Sequence, residues 1–96
     1  MDFVLFAIID VMKKALVPLA DGFEDIEAVA VIDILRRGGV EVVTAALSAE
    51  PSALSAHGIR MASDAVLDDV IDGRWDAIIL PGGGQGTATI LENLVF

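Results

Sequence analysis

Cysteine is absent from this chain, and its 96 residues carry a single histidine and only six lysines and arginines. Without cysteine the chain can form no disulfide and no thiolate metal site, and it holds no cysteine nucleophile. One histidine leaves carboxylates as the main metal donors. Their spacing matches neither a calcium loop nor a His-x-x-x-His pair, so no metal and no cofactor is expected. The six cations stand against 15 aspartates and glutamates, giving a net charge of −9 and a pI near 4.1. Phosphate backbones are bound through clustered Lys and Arg, so nucleic acid is not an expected partner, and an anionic membrane surface is disfavoured for the same reason. The apolar stretch Phe3 to Ile9 is far shorter than the ~20 residues of a spanning helix. Nor does it have the positive start or the small-residue cleavage site of a signal peptide, because Asp2 precedes it and Asp10 follows. A cytoplasmic location is therefore expected.

What is present is an apolar share of 55%, enough for the core of one small domain. Residues 1–11 have two readings: an extension ahead of a domain that starts at Met12, or an additional strand, since Phe, Val and Ile favour strands. Lys14 to Leu19 is a short apolar run of the kind a buried parallel strand shows, with Pro18 near its end. Asp21 and Gly22 break it. Asp21 with Glu24 three residues on has capping-box spacing, which predicts a helix over about Phe23 to Arg37. Arg36 and Arg37 suit the negative end of its dipole, and Gly38-Gly39 stops it. Val40 to Ala46 reads as a second buried strand, completing a βαβ unit. Ser48 to Ala56 reads as a loop, His57 to Ser63 as a short strand or hairpin, and Asp64 to Ile71 as a short helix. Trp75 to Leu80 reads as a third buried strand, followed by the turn Pro81 to Gly86 and a helix from Thr87. The alternation predicts an α/β fold, a doubly wound parallel sheet.

In such sheets ligands bind beyond the carboxyl ends of the strands. Two loops qualify, Asp21-Gly22 and Pro81 to Gly86. Successive glycines can turn backbone N–H groups toward an oxyanion or a phosphate; they also serve as an ordinary tight turn. They match neither the dinucleotide fingerprint, because Thr87 stands where the third glycine belongs, nor a P-loop, because no Lys follows. On a helix, Phe23, Glu27, Ala30, Val31 and Ile34 share one face, so Glu27 interrupts an apolar stripe near the strand ends. Facing the sheet, it would be a half-buried carboxylate suited to acid–base work; with the helix rotated, it would reach water. Glu24 and Asp25 read as first-turn acids. His57 reads as a solvated loop residue, Asp64, Asp68, Asp69 and Asp72 as a solvated acidic face, and Arg36-Arg37 as a helix-terminal pair. No Gly-x-Ser-x-Gly elbow is present.

Three segments converge on a family. Lys13-Lys14-Ala15-Leu16-Val17-Pro18-Leu19-Ala20-Asp21-Gly22-Phe23-Glu24-Asp25-Ile26-Glu27-Ala28, Asp33-Ile34-Leu35-Arg36-Arg37-Gly38-Gly39 and Trp75-Asp76-Ala77-Ile78-Ile79-Leu80-Pro81-Gly82-Gly83-Gly84 resemble the PfpI-like superfamily. More narrowly, they are similar to its parkinsonism-associated deglycase branch and the bacterial relatives of that branch. The superfamily is class I glutamine amidotransferase-like. The resemblance covers about Met12 to Thr89 and implies a flavodoxin-like sheet and a homodimer. It implies activity as a deglycase or glutathione-independent glyoxalase, or a role as a redox-sensitive chaperone. It also implies a site built on an elbow cysteine, a glutamate on the first helix and an oxyanion hole of glycine N–H groups. By position Glu27 matches the glutamate and Gly83 the oxyanion glycine, with Gly82 and Gly84 beside it. His57 and Arg37 fall where some members contact an anion near the partner subunit.

The departure from the pattern is the missing cysteine, with the strand that carries it. The chain therefore reads as residues 12–96 of an N-terminal half, inactive alone because no nucleophile is present. The expected partners are a second copy or a complementary C-terminal half, with a small carbonyl substrate only once the site is completed. Two other functions fit the same residues: a dimerising or scaffolding module, and a flavodoxin-like fragment that binds phosphate at Gly82 to Gly86.

Overall fold

The computed structural model describes residues 13–82. Residues 1–11, Gly83, Gly84 and the helix expected from Thr87 lie outside the described residues. Strands β1 (Lys14–Leu19) and β2 (Glu41–Ala46) flank helix α1 (Asp25–Arg37). A hairpin of β3 (Ser52–Leu54) and β4 (Arg60–Ala62) follows, then β5 (Ala65–Val66), the single-turn α2 (Leu67–Val70) and β6 (Ala77–Ile78). The main sheet has the order β5-β2-β1-β6, and each of its pairings is parallel. The expected α/β architecture with a parallel sheet is present.

Strand β1 occupies the expected span because it is flanked on both sides. Ala15 to Leu19 are all buried, which explains the unbroken apolar run. Pro18 is tolerated for a local reason. Leu16 turns its carbonyl toward β6, accepting from Ile79 N at 2.9 Å. Pro18, two residues on, faces the same side, but the paired residues of β6 end at Ile78, so no ladder bond is lost. Alternation along β1 and β2 separates the core into two faces. Val17, Leu19 and Val42 pack with Ala28, Ile32 and Phe23 on one side, while Leu16 and Ala45 pack with Leu67, Val70 and Trp75 on the other.

Helix α1 starts later than expected and is differently rotated. Its N-cap is Glu24, whose Oε1 accepts from Ile26 N at 2.8 Å and Glu27 N at 3.2 Å. Asp21 does not cap it, because its Oδ1 accepts from Leu54 N at 2.9 Å instead. The helix ends in a Schellman motif: Val40 N donates to Leu35 O at 3.0 Å and Gly39 N to Arg36 O at 3.1 Å, with Gly39 at φ 89° where a side chain would be strained. The inward stripe is Ala28 and Ile32, both buried, with half-buried Leu35. The stripe through Glu27 and Ile34 therefore does not face the sheet, and Ile34 is 65% exposed. Phe23 is the reason. It leaves the helix, pairs with Ser55 in an isolated bridge and fills the core itself, while the small Ala28 lets the helix lie close to the strands.

Four other expectations are corrected. The segment read as a loop contains β3, paired antiparallel with β4 through Ser52–Ala62, Ala53–Met61 and Leu54–Arg60. The segment read as a helix from Asp64 begins with β5, a two-residue edge of the sheet. The third parallel strand is short and exposed rather than buried, since among the described residues β6 is itself an edge and Ile78 is 43% accessible. Asp64 is exposed but does not belong to an acidic helix face. Its Oδ2 accepts from Thr44 N at 2.9 Å, Thr44 Oγ1 at 3.1 Å and Arg36 Nη2 at 3.0 Å, fastening the end of α1 to β2.

Candidate functional site

The chain winds from β1 outward through β2 to β5, then returns to β6 on the opposite side of β1. The direction of winding therefore reverses between β1 and β6, and in an open parallel sheet the crevice at that reversal is where ligands bind. Two segments leave the sheet there: Ala20 to Glu24, leading into α1, and Pro81-Gly82 after β6.

These segments are clamped together at Gly82. Its carbonyl accepts from Glu24 N at 2.8 Å, and its own N–H donates to Glu27 Oε1 at 3.0 Å. Gly82 has no side chain for a specific reason. A Cβ built on it would collide with the Glu27 carboxylate, so glycine permits the close approach. The carboxylate is thus placed at the switch point although α1 turns Glu27 to the exposed side of this chain. Helical phase alone could not show that an exposed glutamate is held by a glycine 55 residues away.

The remaining candidates are not gathered here. Arg37 lies ten residues along α1 from Glu27, roughly 15 Å at the helical rise, where its Nε pairs with Asp33 Oδ1 at 2.9 Å. His57 sits in the β3–β4 turn, with Nδ1 2.8 Å from Asp25 Oδ1. Ser55 Oγ donates to the other oxygen, Asp25 Oδ2. The hydrogen bond from Ser55, and next that from His57, holds the Asp25 carboxyl below its ordinary range. The same contact with Asp25 raises the His57 imidazole. Serine, histidine and aspartate together do not make a nucleophilic triad here, because the serine proton goes to the aspartate and the imidazole does not touch Ser55 Oγ. Nothing in the sequence pointed to Ser55, and Asp25 was marked only as a first-turn acid, because β3, the strand that carries Ser55 back to the helix start, lies in a segment read as a loop.

Glu24, Asp25 and His57 could each offer one donor atom to a cation, with those atoms within 4.8 Å of one another. Taking a cation would mean giving up the Asp25–His57 bond at the positive end of a helix dipole, so we read the group as hydrogen-bonded side chains. A separate open cavity of about 290 Å³ is lined by Ala20, Asp21, Leu47 and Ser48 at the carboxyl ends of β1 and β2. It does not include Glu27 or Gly82. The winding reversal and the aimed carboxylate place the candidate site between β1 and β6 instead.

Residues 13–96 match the model of the DJ-1/PfpI family. The chain belongs to that family. Protein DJ-1 homolog A of Arabidopsis thaliana is 43% identical over 88 residues, covering 86% of this chain and 22% of that protein. The Caenorhabditis elegans protein named glutathione-independent glyoxalase DJR-1.2 is 42% identical over 72 residues, covering 74% of this chain and 38% of that protein. The crystal structure of Drosophila melanogaster DJ-1beta superposes with a TM-score of 0.81 at 34% identity, covering 88% of this chain and 46% of the other. This DJ-1/PfpI chain thus spans less than half the length of these relatives. Among its described residues no helix is long and apolar enough to cross a membrane.

Proposed function

We propose that this chain supplies the acid–base carboxylate and the glycine turn of a DJ-1/PfpI site that acts on reactive carbonyl compounds. The nucleophilic cysteine would come from a segment outside the chain. The observation that carries this reading is the Glu27–Gly82 hydrogen bond at the winding reversal of the sheet. One carboxylate oxygen accepts from the Gly82 N–H, which leaves the other to meet the proton of a thiol. Because the Gly82 N–H is committed to Glu27, we assign oxyanion stabilisation to Gly83, the next residue in the sequence. The glyoxalase name of one relative supports a small carbonyl substrate such as methylglyoxal. Without cysteine the chain alone has nothing to form the covalent adduct.

The test is methylglyoxal turnover by the chain alone and after reconstitution with a C-terminal segment carrying the elbow cysteine. The expected result is no turnover by the chain, turnover by the complex, and a loss of about 10²–10⁴-fold in the complex on Glu27→Ala, the usual contribution of a general acid–base group. Turnover by the purified chain itself, or an unaffected Glu27→Ala complex, would overturn the assignment.

A second reading, a self-associating or completing module, is favoured by the uncovered apolar surface. Ile26 is 77%, Val29 53% and Ile34 65% exposed on the outer side of α1, and among the described residues β6 ends the sheet. Exposed apolar patches and free sheet edges mark surfaces that take a second chain.

A further inference from the structure

The turn that joins β3 to β4 closes on one buried hydroxyl. Ser55 Oγ accepts from Ile59 N at 2.9 Å and from His57 N at 3.2 Å. Its proton goes to Asp25 Oδ2, so its hydrogen-bonding capacity is fully used. Asp25 is the first residue of α1, and its second oxygen holds His57 Nδ1. On either side of this group the backbone ties continue. Ala56 N donates to Phe23 O at 2.9 Å, and Glu24 N to Gly82 O at 2.8 Å. The hairpin turn, the first turn of α1 and the Glu27–Gly82 clamp are therefore linked through Asp25 and its neighbours.

We propose that Ser55, Asp25 and His57 form a proton-controlled latch between the β3–β4 hairpin and the start of α1, and that this latch sets how Glu27 is held against Gly82. The two arms of the latch differ. The Ser55–Asp25 arm is buried at the serine, which is 5% exposed, and it does not depend on the imidazole proton. The His57 arm is open to solvent, and His57 can gain or lose its proton without any opening of the core. With His57 protonated, the contact with Asp25 is a charge-assisted hydrogen bond. With His57 neutral, it falls to an ordinary bond, or to none in the tautomer that carries its proton on Nε2. Among the described residues, Asp25 and Glu24 are the charged groups facing His57, both from the helix start, and both favour the protonated form. On the hairpin itself, Arg60 turns away to Ser52 Oγ at 3.2 Å. The latch does not require catalysis; its meaning for chemistry rests on the reading of Glu27 above.

His57 is the chain's one histidine, so its ring gives a single assignable NMR signal. The experiment is a pH titration of the isotope-labelled chain, following the His57 ring and the Gly82 amide together. The expected result is a His57 midpoint above the ordinary imidazole value and a Gly82 inflection at that same midpoint. His57→Gln should abolish the Gly82 inflection, and Ser55→Ala should lower the His57 midpoint by loosening Asp25. A His57 midpoint at or below the ordinary value would overturn the latch, as would a Gly82 inflection that survives in His57→Gln. Activity is not read, so failure here is distinguishable from a failed Glu27→Ala test in the reconstituted enzyme.

Discussion

Glu27 and Gly82 are 55 residues apart in the chain and 3.0 Å apart in the fold, joined by a backbone N–H and a carboxylate oxygen. The contact needs a helix start on one side of the winding reversal, a strand end on the other, and no side chain at residue 82. The first prediction tests that last requirement. Gly82→Ala would place a methyl group against Glu27 Oε1, the mobile end of a long side chain that can swing away. Stability should change little, within about 0.5 kcal/mol as for other surface changes, while the Glu27 side-chain carbonyl resonance shifts and the Gly82 amide loses its acceptor. Urea unfolding and carboxyl-detected NMR on the same sample would check both halves.

The rotation of α1 separates two isoleucines that look alike in sequence. Ile32 is 6% exposed and packs against Val17, Leu19 and Phe23, whereas Ile34 is 65% exposed. Ile32→Ala should cost about 2–5 kcal/mol, the range for buried large-to-small changes, and Ile34→Ala no more than about 0.5 kcal/mol. Chemical denaturation of both variants would decide the helical phase. The reverse order, with Ile34→Ala the costlier change, would mean that α1 is turned as the apolar stripe through Glu27 suggested.

The Asp25–His57 pair gives stability a pH dependence of worked-out sign. His57 is raised when folded, so its contribution is complete below the unfolded imidazole value of about 6.5 and is lost as pH rises through the higher folded value. Asp25 is lowered when folded, so its contribution is complete above the unfolded carboxyl value and is lost as pH falls through the lower folded value. The pair therefore stabilises most between roughly pH 4 and 6.5. Unfolding midpoints of wild type and His57→Gln should converge above the folded His57 midpoint and separate below it. Curves that stay parallel across that range would remove His57 from the account.

Uncovered edges predict association. Among the described residues β6 has β1 on one side and no strand on the other, and its Ile78 is 43% exposed. At micromolar concentration light scattering should report a dimer or larger species. Ile78→Lys, which places a charge on the open edge, should shift the mass toward monomer if the edge carries the association. Ile34→Lys should do so if the outer face of α1 carries it. A sharp monomeric mass for the unmodified chain would contradict both.

Local patterns were enough for the elements in which local energetics agree with the tertiary environment. Strand β1 shows an unbroken apolar run because it is flanked on both sides, and α1 ends at a Gly-Gly pair because a Schellman motif needs a left-handed residue there. The resemblance likewise rested on three spaced segments and led to the family. Other short pieces were illegible. β3 and β5 hold three and two residues, too few for a period of two to show, and they are strands only because a neighbouring strand pairs with them, while β6 was legible as a strand but not as a short, exposed one. The start of α1 was misplaced because Asp21 and Glu24 both have capping chemistry, and the choice fell to Leu54, whose amide takes the Asp21 oxygen.

By itself the sequence determined which chemistry these 96 residues can and cannot hold. It excludes a thiol nucleophile, disfavours phosphate backbones and offers a carboxylate and a glycine turn, because these depend on residue type alone. Only the tertiary structure decided what those residues meet. Glu27 reaches Gly82, and Asp25 bridges Ser55 and His57, because the sheet reverses its winding at β1 and the hairpin folds back onto the helix start. Contacts between residues tens of positions apart depend on strand order and helix rotation, which are set by how the two apolar faces pack and leave no periodic trace in the chain.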